Sequence, residues 1–561
     1  MKQTFLSLAL LLAATTLQAQ PRQETELSDD WQFSRDRESW QTVSVPHDWA
    51  IGGPFDKQWD LQVVRIEQNG EREATEKSGR SGALPWIGEG HYRRTFTIPQ
   101  GFSGHAELVF DGAMAEPVVS VNGQRAGYWP YGYNSFSVDA TPYIKAGENL
   151  LEVDLNNLEE SSRWYPGAGI YRPVKLVLTG RNFLHLWRTF VYTKQIGQDQ
   201  ATLAVELTTE LPSQGDLAVE VELRDAQGQV VDQQHVAVTD REARAQLTVD
   251  QPRLWTPETP YLYNARIRLM QNGRTIDEIM QRVGVRTVRV SREGGFQLNG
   301  QTRKLRGVCL HHDLGPLGAA VSKAALIRQI KTMKAMGCDA IRTAHNMPSQ
   351  WQMELCDSLG MMVMAESFDM WIYPKCKNGY ARFFREWSDR DVEQLVRAHR
   401  NHPSIVMWSI GNEIPEQGMQ GGTDMARRLQ DICHRFDPTR PVTQGMDRAE
   451  SALKTGFAQV MDVPGFNYRV HKYKKNIGQL PQGFLLGSET ASTVSSRGVY
   501  QFPVVAEAAD DAKSNLHRLH YNGQCSGYDV QYCSWSNLPD DDWRWQADYP
   551  WVIGEFVWTG F

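Results

Sequence analysis

Apolar and polar residues follow one spacing in the first half of the chain and another in the second half. From residue 22 to about residue 290, short runs mix apolar and polar residues in alternation, as in Thr202 to Leu211. Turn-forming residues such as Asn122-Gly123 separate these runs. A period of two with frequent turns is typical of half-buried strands. We therefore predict two consecutive β-sandwiches, over residues 22–182 and 183–290.

Beyond residue 300, apolar strands alternate with amphipathic helices. One helix is predicted to begin after the capping residue Ser322, to place Leu326, Ile330 and Met333 on one face, and to end at Gly337. Eight apolar strand runs can be recognised, and they start near Leu305, Ala340, Met361, Ser404, Pro441, Val463, Phe484 and Trp551. This alternation predicts a (β/α)₈ TIM barrel over residues 291–561.

The predicted eighth strand reaches the last residues of the sequence, so the barrel lacks the helix that would follow that strand. Without this helix, the outer face of strands seven and eight would expose apolar side chains. We expect residues 1–561 to be the N-terminal part of a longer enzyme, poorly soluble or inactive when expressed alone. The alternative is a partner chain that covers this face, as in a homo-oligomer.

The first residues have the composition of a secretory signal peptide. Lys2 precedes a short apolar run from Phe5 to Ala14, and the small residue Ala19 provides a cleavage position. We predict a signal peptide over residues 1–19 and a periplasmic or secreted protein. No later stretch reaches 18 apolar residues, so we expect no membrane-spanning segment.

Charge and cysteine content exclude several classes of protein. The chain has 59 Lys and Arg against 66 Asp and Glu, a formal net charge of −7. This balance argues against nucleic acid as a partner, because phosphate binding requires a basic surface. The seven cysteines include no C-x-x-C pair, which argues against a structural zinc site and favours buried thiols.

Acidic residues stand at the ends of two predicted barrel strands. Strand four ends in Asn412-Glu413, and strand seven ends in Ser488-Glu489. Catalytic groups of such barrels lie at the carboxyl ends of the strands. Two carboxyl groups are what glycoside hydrolysis requires, one to protonate the leaving oxygen and one to attack or to activate water. The alternative is that each glutamate forms a structural ion pair with an arginine of the barrel.

Five segments together resemble the motifs of glycoside hydrolase family 2, which includes β-galactosidases, β-glucuronidases and β-mannosidases. They are Ser162 to Arg172, Leu305 to Asp313, Ile341 to Asn346, Gly411 to Glu413 and Gly487 to Ser492. The resemblance covers nearly the whole chain. It implies an N-terminal jelly-roll of the sugar-binding type, an immunoglobulin-like second sandwich and a catalytic barrel.

The resemblance also implies roles for individual residues. Glu413 is expected to be the general acid/base and Glu489 the nucleophile, with retention of configuration. The two carboxyl groups should then lie about 5–5.5 Å apart, and Glu413 must begin the reaction protonated. Asn412 is expected to contact the sugar 2-hydroxyl.

Further residues are predicted to bind the substrate, each with a structural alternative. His311, His345 and Asn346 follow strands one and two, and Tyr468 follows strand six, where its hydroxyl would orient Glu489. Trp558 is expected at the floor of the sugar site, with core packing as the alternative. Trp371 is a weaker candidate, and Asp48 would otherwise have a role in a turn.

Some family members bind Mg²⁺ through a Glu and a His after strand three. Here this stretch is Glu366 to Met370 and contains no histidine. Retaining hydrolysis does not need a metal ion. We therefore predict no metal site and no required cofactor.

Three segments resemble the β-galactosidase branch and point to β-galactosides as substrates. They are Gly498 to Tyr500, Tyr532 to Trp535 and Trp543 to Trp545. β-Glucuronidases are the rival, and their Asn-x-Lys motif would fall beyond residue 561. The basic residues from Arg469 to Lys475 could contact an acidic sugar or be solvated. A non-catalytic carbohydrate-binding or adhesion protein is the alternative from another class.

Overall fold

The computed structural model describes residues 22–54, 64–65, 74–75, 86–210, 216–495, 498–500, 502–503, 526–533 and 535–561. The predicted signal peptide and Cys525 lie outside these residues. No helix in the described ranges is long and apolar enough to cross a membrane. The thiols of Cys309, Cys356, Cys376 and Cys433 are buried, as their apolar surroundings predicted.

The first domain is a sandwich of two antiparallel sheets, with strand orders β1-β12-β7-β10 and β3-β2-β6-β11-β8-β9, plus the separate pair β4-β5. Alternating residues of β11, among them Leu151 and Val153, are fully buried between the sheets. The strands are β1 Gln23–Glu26, β2 Trp31–Ser34, β3 Gln41–Val43, β4 Val64–Arg65, β5 Ala74–Thr75, β6 Gly88–Ile98, β7 His105–Phe110, β8 Val118–Val121, β9 Gln124–Tyr128, β10 Phe136–Asp139, β11 Gly147–Asn157 and β12 Val174–Thr179.

The second domain is an immunoglobulin-like sandwich. One sheet has the order β13-β15-β14 with β18 also paired to β15, and the other has the order β17-β16-β19-β20. The strands are β13 Phe183–Leu184, β14 Phe190–Ile196, β15 Gln200–Glu210, β16 Leu217–Arg224, β17 Val230–Ala237, β18 Glu242–Asp250, β19 Tyr263–Gln271 and β20 Arg274–Val283.

A small three-stranded sheet connects the second domain to the barrel. It consists of β21 Val288–Ser291, β22 Gly295–Leu298 and β23 Gln301–Thr302. Phe296 and Leu298 of this sheet belong to the same buried cluster as Leu305 and Ile553, at the end of the barrel where the strands begin. The boundary predicted at residue 290 falls within β21, whose Val288 and Val290 pack against this same cluster.

The third domain is a closed barrel of eight parallel strands, as predicted. The strands are β24 Leu305–Leu310, β25 Ala340–Thr343, β26 Met362–Glu366, β27 Ile405–Asn412, β28 Val442–Met446, β29 Val463–Asn467, β30 Leu485–Thr490 and β31 Val552–Val557. The helices are α1 Lys323–Met336, α2 Gln350–Leu359, α3 Phe384–His399, α4 Gly422–Phe436, α5 Ala449–Thr455, α6 Phe457–Val460, α7 Tyr473–Asn476 and α8 Pro539–Asp548. Each of the first seven strands is followed by at least one helix, and four residues follow β31.

The ends of the barrel helices follow the local signals in the sequence. The Ser322 side chain accepts a hydrogen bond from the Ala325 amide at the start of α1, and Gly337 ends the helix in a left-handed conformation. Ser349 and Gly360 do the same for α2. These caps satisfy backbone groups that a helix end leaves without partners, so each helix stops at a defined residue.

The first domain packs directly on the barrel. Trp129 donates its indole N–H to Asp391 of α3 at 2.8 Å, and the Tyr131 hydroxyl donates to the Ser367 carbonyl at 2.8 Å. Arg172, which is 2% exposed, donates to the Met347 carbonyl at 2.7 Å. These contacts hold the first domain against α3 and against the loops that follow strands two and three of the barrel.

Candidate active site

Residues with left-handed backbone conformations lie at the carboxyl ends of three barrel strands. The φ angles are 45° at Glu413, 56° at Tyr468 and 43° at Ala491. Such angles are uncommon for residues other than glycine and are retained where surrounding contacts impose them. The Glu413 amide donates to the Gly445 carbonyl at 2.7 Å, and the Tyr468 amide donates to the Glu489 carbonyl at 2.5 Å. Strand four is thus tied to strand five, and strand six to strand seven, where the two predicted catalytic carboxylates emerge.

Glu489 is 4% exposed and has polar partners on both carboxylate oxygens. The Tyr468 hydroxyl donates to Oε1 at 2.5 Å, and Arg342 Nη1 donates to Oε2 at 3.0 Å. Burial and the charge of Glu413 raise the pKa of Glu489 to about 8, whereas Arg342 and Tyr468 act in the opposite direction. The predicted contact between Tyr468 and Glu489 is therefore present in the structure.

Glu413 has a more open environment. Its side chain is half-buried, and Asn467 Nδ2 donates to its Oε1 at 3.0 Å. Its charge is close enough to raise the pKa of Glu489. Like-charge repulsion from Glu413 therefore disfavours the ionised form of Glu489.

Arg342 lies at the centre of the site and was not among the predicted substrate-binding residues. Its guanidinium, fully buried, contacts Glu489, Glu366 at 2.9 and 3.0 Å, and Asn412 at 2.9 Å. The signal for it was present in the sequence, because a charged residue stands within the apolar strand Ala340–Thr343. Charges in such strands need partners, and here the partners are the two carboxylates.

Asn412 is fully buried, and protein atoms contact both ends of its amide. Arg342 Nη2 and Asn467 Nδ2 donate to its Oδ1 at 2.9 and 3.0 Å, and its Nδ2 donates to Asp369 Oδ1 at 3.1 Å. A Cβ atom on Gly445 would come within 2.9 Å of Arg342 Nη2 and within 3.1 Å of Asn412 Oδ1. This position therefore requires glycine for the polar groups to meet.

Asp369, after strand three, links Asn412 to two basic residues. Arg163, from the first domain, donates to both Asp369 oxygens at 2.8 and 2.6 Å, and Lys375 donates at 2.9 Å. Burial alone would raise the pKa of Asp369, but Arg163 and Lys375 hold it well below its usual range. Asp369 is therefore ionised at neutral pH.

Four rings form an aromatic wall beside Glu489. Trp164, from the first domain, stacks on His311 with ring centroids 4.8 Å apart, and Trp558 stacks on His345 at 5.3 Å. His311 and Trp558 are half-buried and meet edge to face at 5.0 Å. The structure thus brings the predicted residues His311, His345 and Trp558 together.

Both histidines of this wall are neutral at ordinary pH. Burial lowers the pKa of His311 to about 4, and burial together with Arg342 lowers the pKa of His345 well below its usual value. His345 Nδ1 lies 2.7 Å from Glu366 Oε1, which favours the tautomer with the proton on Nδ1. His311 Nδ1 donates to the Ala344 carbonyl at 2.8 Å, so these contacts fix both ring orientations.

Two predicted site residues have structural surroundings instead. Trp371 is completely buried, its indole donates to the Ile410 carbonyl at 2.9 Å, and its ring packs on Phe384. It is a core residue because its ring lies against Phe384 at the start of α3, past the point where Asp369 contacts the site. Asp48 is 5% exposed and accepts hydrogen bonds from Tyr165 and from the amides of Ala50, Ala168 and Ala319, so it joins the first domain to the barrel.

Asn346 is 2% exposed and does not contact either predicted catalytic glutamate. Its Nδ2 donates to the Met347 carbonyl at 3.2 Å. The basic segment after strand six is also partly paired, since Lys472 and Lys475 lie 3.6 and 3.4 Å from Glu450. These contacts direct both lysines toward α5.

Glu366, the acidic residue at the position where some family members hold Mg²⁺, has protein partners. Arg342, His345 and the Ser409 hydroxyl contact its oxygens, the last at 2.6 Å. Burial raises its pKa to about 7, although Arg342 opposes this shift. Within the described ranges, no group of three or more His, Cys, Asp and Glu side chains is arranged to hold a metal ion.

Family models match three consecutive parts of the chain. The sugar binding domain of glycosyl hydrolases family 2 matches residues 18–180, a second family 2 domain matches residues 184–286, and the family 2 TIM barrel domain matches residues 288–501. The β-galactosidase BoGH2A of Bacteroides ovatus is 34% identical over 96% of the chain and 68% of its own length. The chain belongs to glycosyl hydrolase family 2.

Other relatives are similar to this chain over most of its length. A β-glucuronidase of Bacteroides fragilis is 28% identical over 79% of the chain and 63% of its own length. A crystal structure of a family 2 member from Bacteroides cellulosilyticus has a TM-score of 0.81 and 31% identity, and covers 96% of this chain and 64% of that one. This glycoside hydrolase therefore spans about two thirds of the length of these relatives.

Proposed function

We propose that this family 2 glycoside hydrolase is a retaining exo-β-glycosidase that removes terminal, non-reducing β-D-galactose residues by double displacement. One observation carries the proposal. Two electrostatically coupled glutamates emerge at the ends of strands four and seven, and one is buried and fixed while the other is half-buried. Glycoside hydrolysis uses two carboxyl groups in these two different roles.

In the first step, the ionised Glu489 attacks the anomeric carbon while protonated Glu413 gives its proton to the glycosidic oxygen. The bond to the leaving group breaks, and a covalent glycosyl-enzyme forms. In the second step, ionised Glu413 takes a proton from water, the resulting hydroxide equivalent attacks the anomeric carbon, and Glu489 leaves as a carboxylate. Two inversions give net retention.

The surrounding residues are assigned roles that fit this sequence of steps. Arg342 and Tyr468 stabilise the ionised Glu489 before it attacks and after it leaves. Asn412 binds the sugar 2-hydroxyl, a contact that strengthens in the transition state. Trp558 and His311 contribute an apolar and aromatic wall for the sugar ring. None of these steps needs a metal ion or other cofactor, and we propose that the protein uses none.

Support for galactose as the sugar comes from the relative BoGH2A, which is named a β-galactosidase. A β-glucuronidase is the second candidate, because the Bacteroides fragilis relative has that name. Arg469, half-buried after strand six, also lies within the electrostatic reach of Glu413, where it could pair with a substrate carboxylate.

Hydrolysis of the 4-nitrophenyl β-galactoside, β-glucuronide and β-mannoside by the full chain tests the proposal, with Glu489→Gln as the control for background activity. We expect the β-galactoside to be hydrolysed with the highest kcat/KM. A preference for the β-glucuronide would favour the second candidate. Turnover of none of the three by the complete protein, shown to be soluble and folded, would contradict an exo-glycosidase acting on these sugars.

We also propose that the protein is exported to the periplasm or beyond the cell, from the composition of residues 1–19. N-terminal sequencing of the protein recovered from a periplasmic fraction tests this proposal. A mature N-terminus near residue 20 is expected, and an intact Met1 in the cytoplasm would contradict export.

A further inference from the structure

The first domain contributes a charged side chain to the catalytic end of the barrel. Arg163 lies in the loop between β11 and β12, and its guanidinium forms two hydrogen bonds with Asp369, at 2.8 and 2.6 Å. These residues are 206 positions apart in the sequence and belong to different domains. The paired geometry fixes both the position and the rotation of the carboxylate.

Asp369 and Lys375 then hold Asn412 from two directions. Asp369 Oδ1 accepts a hydrogen bond from Asn412 Nδ2 at 3.1 Å, and Lys375 Nζ donates to the Asn412 backbone carbonyl at 2.8 Å. That carbonyl belongs to the peptide bond that leads into Glu413, whose φ is 45°. One cluster thus contacts both the Asn412 amide and the backbone immediately before the proposed acid/base.

The burial of this cluster is difficult to explain by stability alone. The side chains of Asp369 and Lys375 are 3% and 1% exposed, and that of Arg163 is 20% exposed. Removing such charges from water costs several kcal/mol per ion, and apolar replacements are often as stable. Two cations around one carboxylate are therefore better explained by the geometry that they impose on Asn412.

We propose that Arg163 is a positioning residue for the reaction, acting through Asp369 and Lys375 on Asn412 and on the backbone of Glu413. The inference rests on the proposed function, since it takes the contact of Asn412 with the sugar 2-hydroxyl from that proposal. It makes the active site a structure of two domains, in which the docked first domain sets the geometry of barrel residues.

The test compares Arg163→Gln with a control at the same domain interface. Glu116 of the first domain forms an ion pair with Arg382 of the barrel and does not contact Asn412 or Asp369. Glu116→Gln therefore removes an interdomain ion pair without changing the cluster. In the full chain, we expect Arg163→Gln to reduce kcat/KM by about 100-fold, as misplaced catalytic groups do, and Glu116→Gln to reduce it less than twofold.

Arg163→Lys keeps the charge but loses the paired geometry, so it should recover only part of the loss. Thermal unfolding should show similar stability for Arg163→Lys and Glu116→Gln. Full recovery by lysine would overturn the geometric role, because charge alone would then be sufficient.

A substrate without the 2-hydroxyl tests whether the effect of Arg163→Gln on kcat/KM acts through Asn412. In wild type, removal of the 2-hydroxyl from the nitrophenyl β-galactoside should reduce kcat/KM strongly. In Arg163→Gln the same removal should cost at least tenfold less, because the contact is already lost. Equal costs in the two enzymes, or equal activity of Arg163→Gln and Glu116→Gln, would overturn the inference.

A failure of the proposed function would be seen in a different variant, Asn412→Ala. Asn412→Ala should lose at least as much activity as Arg163→Gln. If Asn412→Ala retains wild-type activity on both substrates, the proposed role of Asn412 fails, and the inference fails with it. If Asn412→Ala is impaired but Arg163→Gln behaves like Glu116→Gln, only the positioning role is wrong.

Discussion

The carboxylates at the ends of strands four and seven have the same chemistry and contrasting surroundings. Glu489 is 4% exposed and held by a guanidinium and a phenol hydroxyl. Glu413 is half-buried, with an amide donor on one oxygen and a strained backbone. A nucleophile needs an ionised, fixed oxygen, whereas an acid/base must exchange protons with a leaving group and with water. The surroundings, and not the residue type, separate the two proposed roles.

The comparison predicts its largest difference when each carboxylate is replaced by an amide. Glu489→Gln should abolish turnover of every substrate, because no nucleophile remains. Glu413→Gln should reduce the rate about 10²–10⁴-fold on a poor leaving group, or roughly 3–5 kcal/mol of transition-state stabilisation. The first step with an activated phenol should lose much less, since that leaving group needs little protonation. Stopped-flow and steady-state assays on matched glycosides measure both effects.

Azide provides an independent check of the same pair. Glu413→Ala should recover activity with added azide and yield a β-glycosyl azide, since azide replaces water in the second step on the face opposite Glu489. An α-glycosyl azide would reverse the roles assigned to Glu413 and Glu489. Wild-type turnover by Glu489→Gln would exclude Glu489 as the nucleophile.

Tyr468→Phe should reduce kcat/KM about 10–100-fold, the range expected when a hydrogen bond to a charged group is lost, and change its pH dependence. The hydroxyl lowers the pKa of Glu489, which burial and Glu413 raise to about 8. Its loss raises that pKa further, so Glu489 is ionised only at higher pH. The acidic limb of the pH profile of kcat/KM should therefore move to higher pH. In Glu413→Gln, assayed with an activated phenol, the acidic limb should move to lower pH. The negative charge that raises the pKa of Glu489 is then gone. Shifts in the same direction would contradict the account.

Asn467→Ala should have a smaller effect. Asn467 donates to both Glu413 Oε1 and Asn412 Oδ1 at 3.0 Å, so its loss frees Glu413 and loosens Asn412. We expect about a tenfold loss of kcat/KM, with a melting temperature close to that of wild type. A loss as large as that of Glu413→Gln would mean that Asn467 takes part in proton transfer itself.

Two tryptophans provide the smallest catalytic contrast. Trp558→Ala should raise KM several-fold with little change in stability, because its ring is only half-buried and stacks on His345 beside Glu489. Trp371→Ala should instead destabilise the fold by about 3–5 kcal/mol, since its ring is completely buried. Thermal unfolding and KM measured in parallel distinguish the two. A stable Trp371→Ala enzyme with raised KM would restore Trp371 as a sugar-binding residue.

Strand positions and strand ends could be predicted because apolar runs and helix caps are local signals. All eight predicted strand starts lie within one residue of those observed, which places Glu413 and Glu489 at the same end of the barrel. The contact between Tyr468 and Glu489 followed from the same geometry.

Contacts between distant segments could not be predicted in this way. Arg163 meets Asp369 only because the first domain docks on the barrel, and no local pattern encodes that docking. The structural surroundings of Trp371 and Asp48 could not be predicted for a related reason. A side chain one turn beyond a strand can face either the site or a neighbouring layer, and hydropathy alone does not distinguish the two.

Mass-spectrometric peptide mapping of a trapped intermediate tests the central claim most directly. A 2-deoxy-2-fluoro glycoside with an activated leaving group, made from the sugar that the full chain hydrolyses fastest, slows both steps and allows the glycosyl-enzyme to accumulate. The account predicts one covalently bound fluorosugar per chain, on the peptide that contains Glu489 and on that residue. A label on Glu413, or inactivation without any covalent sugar, would contradict the assignment of Glu489 as nucleophile.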